Sequence, residues 1–100
     1  MAEEKMVNNL NSVIVEGEVV NVRRYADRTE FGVVTNHYTC EYGKDIIHHY
    51  KYKIPVKAHI GLCTEFYISN RMIVRVVGML KEQKGRIYIY AEHIEMKPTK

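Results

Sequence analysis

Residues 72–96, MIVRVVGMLKEQKGRIYIYAEHIEM, decide the fold. Two apolar runs rich in β-branched and aromatic residues, Ile73 to Leu80 and Ile87 to Ile94, flank the polar Lys81-Glu82-Gln83-Lys84-Gly85-Arg86. That pattern predicts an antiparallel hairpin with a short charged turn. Both runs are apolar on both alternation phases. In the first, Val74, Val76 and Leu80 oppose Ile73, Val77 and Met79; in the second, Ile87, Ile89 and Ala91 oppose Tyr88, Tyr90, Ile94 and Met96. A strand apolar on both faces is buried on both, or buried on one and pressed against a partner or ligand on the other.

The chain of 100 residues is one domain in length, and its 46% hydrophobic content with six Gly and two Pro predicts a packed globule. The N-terminal MAEEKMVNNLNS has charges where a signal peptide needs an apolar core, and no run approaches the roughly 20 apolar residues of a membrane span. Cys40 and Cys63 form no CxxC pattern, so a reduced cytoplasmic setting without membrane association is expected. The net charge of +3 permits a polyanion partner without demanding one.

Working back to the start, residues 1–10 read as a flexible tail and 11–97 as the domain. Asn11 to Val22 alternates as a first strand with Val13, Val15 and Val19 on one face. Gly17 and Gly78 each sit inside an apolar-x-apolar-x-Gly-x-apolar strand, where glycine marks a bulge, a sharp coil or a close backbone approach. Two such strands suggest a small barrel that bends to close. Arg23 to Arg28 is a polar connection, and Thr29 to Cys40 a second strand with Phe31, Val33 and Thr35 on one face. Glu41 to Asp45 supplies a turn into a third strand, Ile46 to Ala58, with Tyr50, Tyr52, Ile54, Val56 and Ala58 on one side and His49, Lys51, Lys53, Pro55 and Lys57 on the other. Ile60 to Asn70 breaks the alternation and predicts a helix of about two to three turns that caps the barrel, with Phe66 and Tyr67 as packing residues.

These residues carry a resemblance. Asn11-x-Val13-x-Val15-x-Gly17-x-Val19, the helix before Val74-x-Val76-x-Gly78-x-Leu80, and Ala91-Glu92-His93-Ile94-Glu95-Met96 near the end resemble the bacterial single-stranded DNA-binding protein family, including its primosomal replication protein B branch. The resemblance implies an all-β OB fold, a five-stranded Greek-key barrel with one short helix between strands 3 and 4, which oligomerises through the first strand or its neighbours. It also implies single-stranded DNA as ligand and replication or primosome proteins as partners. The chain has no Trp, on which that family commonly stacks bases, and ends Met96-Lys97-Pro98-Thr99-Lys100 without an acidic tip, which favours the tailless primosome-like branch or a mobile-element variant.

Single strands are held by cations that follow the phosphates and rings that stack on bases. The chain has eight Tyr and two Phe as candidate rings. Within His48-His49-Tyr50-Lys51-Tyr52-Lys53, with Lys57 beyond, the lysines and His49 are phosphate candidates. Tyr50 and Tyr52 are open between stacking and the core row that they extend, with stacking favoured at Tyr50. Tyr38 and Tyr88 are further ring candidates, and Phe31 is assigned to the core. Arg23, Arg24 and Arg28 belong to the first connection, a usual ligand loop of OB folds, and Arg75 is a mid-strand charge that must face outward. Lys81, Lys84 and Arg86 read as solubilising charge.

A zinc site needs converging ligands, usually in close pairs, and adjacent His48 and His49 point to opposite faces of a strand. Neither metal, cofactor nor catalysis is expected. Two functions remain: a sequence-tolerant single-stranded DNA binder acting in replication, recombination or repair, and an OB-fold interaction subunit or primosome-like adaptor with weak or no DNA binding. The two-sided apolar strands predict a homodimer or tetramer in either case.

Overall fold

The computed structural model describes residues 9–63 and 68–97. Five strands form a closed barrel: β1 (Val13–Arg24), β2 (Arg28–Cys40), β3 (Ile47–His59), β4 (Ile73–Gln83) and β5 (Arg86–Met96), in the order β1-β2-β3-β5-β4. All pairings are antiparallel except β3 with β5, whose parallel register runs from Val56↔Ile89 to Ala58↔Ala91. This is the five-stranded barrel that the sequence predicts.

The barrel closes on inward-pointing β-branched residues. Val19, Val33, Val56, Val74, Val76 and Ile89 are fully buried, with Phe31, Ala58, Ala91 and Ile94 around them. Each buried Val or Ile side chain stabilises the fold by about 1.5–3 kcal/mol relative to exposure. Ile68 plugs one end, where β1 holds residues 68–72 by backbone bonds. The Val19 N–H donates to the Met72 carbonyl and the Arg71 N–H donates to the Val19 carbonyl, each at 2.8 Å.

Two bulges set which side chains point outward. An extra residue in β1 between Val20 and Arg23, with Asn21 in the left-handed region at φ 55°, turns Val22 against the core and Arg23 outward. In β5 the register passes from Val77↔His93 to Gly78↔Ala91, so Glu92 is the inserted residue. The phase of β5 therefore reverses at Glu92. Ile94 is buried with Ile89 and Ala91, and does not share a face with Tyr88 and Tyr90 as strict alternation predicted.

Glycine permits the tight curvature. A Cβ at Gly17 would collide with the Val34 carbonyl of β2, and one at Gly78 with the Tyr90 carbonyl of β5. Both are the close backbone approaches that the sequence pattern suggested.

Strands outrun their apolar cores. The connection after β1 shrinks to Tyr25-Ala26-Asp27, so Arg23, Arg24 and Arg28 lie on strand ends. The last hairpin keeps pairing through Gln83↔Arg86 and turns on Lys84 and Gly85, at φ 52° and 78°. Positive φ at both central residues is the turn that matches strand twist. The longest extension is the β2–β3 hairpin, paired from Arg28↔His59 to Cys40↔Ile47. At about 3.3 Å per residue it projects well past the core as an arm.

Between β3 and β4 stands the short helix that the sequence predicts, a 3-10 turn over Ile60–Cys63, and residues 64–67 of the predicted span lie outside the described residues. The first strand begins at Val13, two residues later than predicted. Residues 1–8 of the predicted tail, and Phe66 and Tyr67, lie outside the described residues.

Candidate nucleic-acid interface

The period of two in β3 assigns its side chains to two surfaces. Lys51, Lys53, Pro55 and Lys57 point to the outside of the barrel, while Tyr50 and Tyr52 continue the row of Ile54, Val56 and Ala58 beyond the end of the core. Lysines and tyrosines that interleave in sequence are therefore on opposite faces of the arm.

On the outer face, three adjoining depressions share Lys57. Gly32 and Pro55, paired across β2 and β3, form a floor without long side chains. Arg23 and Lys53 line one part, and Arg86, Lys84 and Tyr88 of the last hairpin line the other. Lys57 joins the two sides. Its Nζ donates to Gln83 Oε1 at 2.5 Å and lies 4.3 Å from the centroid of the Tyr88 ring.

The acids at this groove are already compensated. Arg28 Nε donates to Glu30 Oε2 at 2.6 Å, and its Nη1 to Asp27 Oδ1 at 3.0 Å. Its guanidinium also covers the Tyr25 ring at 4.3 Å. The Glu30 hydrogen bond, with the Asp27 contacts, raises the Arg28 pKa further above its ordinary value. Arg28 thus offsets two carboxylates, which leaves the positive field of the groove to Arg23, Lys53, Lys57, Lys84 and Arg86.

Farther out on the same face, the row of Lys51 and Lys53 leads to Tyr38 and His49. Their rings stack at 4.3 Å and 6°, and His49 Nε2 lies 2.9 Å from Asn36 Oδ1. The outer surface therefore offers a ring pair at the tip, a row of lysines, and the Lys57–Tyr88 pair at the barrel.

The other predicted residues separate from this row. Arg24 points to the barrel end, where its guanidinium donates to the Ile68 carbonyl. Arg75 lies on the outside of β4 with Glu16 at 3.2 Å and Glu95 at 3.6 Å, and Lys97 joins Glu16 at 3.3 Å. The Lys97 hydrogen bond, followed by the charge of Arg75, holds the Glu16 carboxyl below the usual carboxylate range against partial desolvation. This network, with exposed Glu18 and Glu92 nearby, makes the β1–β4–β5 side acidic relative to the groove. Tyr50 and Tyr52 are 45% and 50% exposed, so in this chain neither is a core residue.

Sequence reasoning missed Arg86 and Lys84 as parts of the groove. Their signal exists only in space, because the parallel β3–β5 pairing carries the last hairpin to Lys57. Among the described residues, no group of three His, Cys, Asp or Glu converges as a metal site, and no helix is long and apolar enough to cross a membrane.

No protein-family model and no curated protein matches the chain. Solved structures do. A Plasmodium falciparum SSB in complex with ssDNA is 13% identical, with a TM-score of 0.72 over 94% of this chain and 100% of that one. The N-terminal domain of PriB from Thermoanaerobacter tencongensis, described as dimeric, is 15% identical with a TM-score of 0.60 over 89% and 98%. A small single-stranded DNA-binding protein from Streptomyces coelicolor is 19% identical with a TM-score of 0.65 over 91% and 96%. The chain therefore has the OB fold, in the form shared by single-stranded DNA-binding proteins and PriB.

Proposed function

We propose that this protein binds single-stranded DNA along the outer face of β2 and β3, without sequence preference, in DNA replication, recombination or repair. The observation that carries the reading is the alignment of Lys51, Lys53 and Lys57 on one face of β3, between the Tyr38–His49 ring pair and Tyr88. Residues two apart on a strand are about 6.6 Å apart, so a row of lysines on one face of β3 can follow a phosphate backbone. Lysines release counterions from the phosphates, and rings accept any base because every base has a π-face. A duplex keeps its bases stacked on one another, which denies them to these rings. The ssDNA in the similar Plasmodium falciparum complex supports the same ligand class.

Self-association accompanies this reading. Ile14 is 64% exposed on the outside of β1, opposite half-buried Val77 of β4, with Met79 beyond. A second copy would cover this apolar row, giving a dimer or tetramer, and the dimeric PriB domain supports that state. Replication or primosome proteins are further partners on this reading.

Photocrosslinking tests the groove. Oligo-dT carrying 5-iodouracil is expected to crosslink to peptides containing Tyr88 or Tyr38 on irradiation. Crosslinks confined to the β1–β4 face would contradict the assignment.

A further inference from the structure

The β2–β3 arm is a two-stranded ribbon with open edges. Among the described residues, β1 pairs with β2 only as far as Glu18↔Val34 and β5 with β3 only over Val56 to Ala58, whereas β2 and β3 stay paired out to Cys40↔Ile47. A ribbon of two strands without a core is marginally stable in water, and a third strand steadies it. An open edge is a row of unpaired backbone groups, which proteins ordinarily blunt with lysine, proline, a bulge or a cover. This chain does so elsewhere. Lys51, Lys53 and Pro55 blunt β3, and Asn11 caps β4, its side-chain amide donating to the Leu80 carbonyl and its Oδ1 accepting from the Leu80 N–H, both at 2.9 Å. The β2 edge over residues 35–40, TNHYTC, has no charged residue, no proline and no bulge in its register.

Alternation identifies the backbone groups on that edge. Val19 spends both its N–H and its carbonyl on residues 71 and 72, away from β2. Its neighbours Glu18 and Val34 are therefore the pair that bond each other, and the Val34 carbonyl that crowds Gly17 points the same way. At the far end the Glu41 N–H donates to the Ile46 carbonyl at 3.1 Å, so the odd-numbered positions turn their backbone toward β3. Asn36, Tyr38 and Cys40 consequently present their N–H and C=O groups to the open edge, with their side chains on the outer face.

We infer that the β2 edge is a self-association surface, on which a second copy of this chain pairs antiparallel over residues 35–40. One register uses only the open groups. Tyr38 lies opposite the partner's Tyr38 and Asn36 opposite the partner's Cys40, so all three outward residues of each copy are bonded and Val34 is left to β1. The lengths also match. The open edge begins where β1 leaves and ends at the Glu41 turn, so each turn arrives at the cleft between β1 and β2 of the other copy. That cleft is lined by Glu16, Glu18, Thr35 and Asn36. Glu18 has no ion pair among the described residues, and the arriving turn brings Lys44 beside its own Glu41. Like charges directly opposite each other destabilise a strand pair, which disfavours self-pairing through the lysines of β3 and leaves the uncharged β2 edge as the self-compatible one. The two-fold axis of an antiparallel pair stands perpendicular to the sheet, so the outer faces of both copies coincide. Lys51 and Lys53 of the two copies then form rows about 14 Å apart, three strand spacings, on one four-stranded sheet. This contact is separate from the apolar row around Ile14 and does not depend on the groove reading.

Disulfide formation in the full chain tests the register. Residues opposite each other in a hydrogen-bonded pair have Cα atoms about 5.5 Å apart, inside the range of roughly 4.4–6.8 Å that a disulfide spans. Asn36→Cys, with Cys40 retained and Cys63→Ser, is expected to form a covalent dimer on mild oxidation, linked between positions 36 and 40 in peptide mapping. Cys63→Ser alone should not link, because the two copies of Cys40 stand four residues, about 13 Å, apart along the pair. His37→Cys in the Cys63→Ser protein should not link either, since its side chain points to the opposite face. Tyr38→Lys added to the Asn36→Cys protein sets two ammonium groups opposite each other on the axis and should slow linkage about fivefold. Equal urea midpoints of the reduced variants exclude a folding effect. Absence of linkage in the Asn36→Cys protein, or linkage as rapid in the His37→Cys protein, overturns the edge contact, and a dimer that links only through Ile14→Cys confines self-association to the β1–β4 row.

Discussion

The Lys57 ammonium stands 4.3 Å from the centroid of the Tyr88 ring, and this pair ties β3 to the last hairpin across the outer groove. A cation over a ring is worth about 0.5–1 kcal/mol where it is exposed. The pair fixes the direction of both groups without consuming the charge.

Lys57 and Tyr88 should therefore fail differently. Lys57→Ala is expected to flatten the salt dependence of oligo-dT binding by about 0.7 in log–log slope, the loss of one phosphate contact. Tyr88→Ala should cost about 1–3 kcal/mol of affinity with little change in slope, because the ring contributes stacking and no charge. Titrations at several salt concentrations separate the two. Equal slopes for Lys57→Ala and wild type would remove Lys57 from the phosphate path.

Glycine substitutions test the curvature of the barrel. Gly17→Ala and Gly78→Ala each drive a methyl into the carbonyl of a neighbouring strand, so each should destabilise by about 2–4 kcal/mol, the upper part of the range for single substitutions. Gly43→Ala meets no atom within 4 Å, and only its φ of 75° opposes the change. It should cost about 1 kcal/mol. Urea midpoints of the three variants give the order, and a Gly17→Ala protein as stable as Gly43→Ala would contradict the close approach.

Much of this arrangement was legible because strands write their faces with a period of two. Lys51, Lys53 and Lys57 could be placed opposite Tyr50 and Tyr52 from alternation alone, and Gly17 and Gly78 marked their own close contacts. Ile94 could not be placed. Its phase depends on Glu92 being an inserted residue, and a bulge inside an apolar run leaves no mark in composition. Arg28 and Arg75 looked like free cations because their carboxylate partners include residues on the same strand two positions away and residues on other strands. Arg86 looked like surface charge, since only the β3–β5 pairing shows what it faces.

The acidic network on β1 and β4 predicts a pH dependence of stability. The Lys97 hydrogen bond and Arg75 hold the Glu16 carboxyl below its ordinary value of 4.5 in the fold. A depressed folded pKa contributes stability above the unfolded value, and that contribution is lost as the pH falls through the folded value. Glu16→Gln should thus lower the melting temperature at pH 7, with the difference from wild type closing as the pH drops below 4.5. A difference that grows on acidification would contradict the sign.

Arg75 is engaged by Glu16 and Glu95 on the far side of the barrel from the groove. Arg75→Gln should leave both oligo-dT affinity and its salt slope at wild-type values. A flattened slope for this variant would place the strand on the β1–β4 face.

Direct comparison of oligo-dT with duplex of equal length, by fluorescence anisotropy at low salt, tests the central claim. The account predicts that the single strand binds much more tightly, with an affinity that falls by about 0.7 in log units per neutralised phosphate for each tenfold rise in salt. A protein that binds neither, or binds duplex as well as single strand, would contradict it.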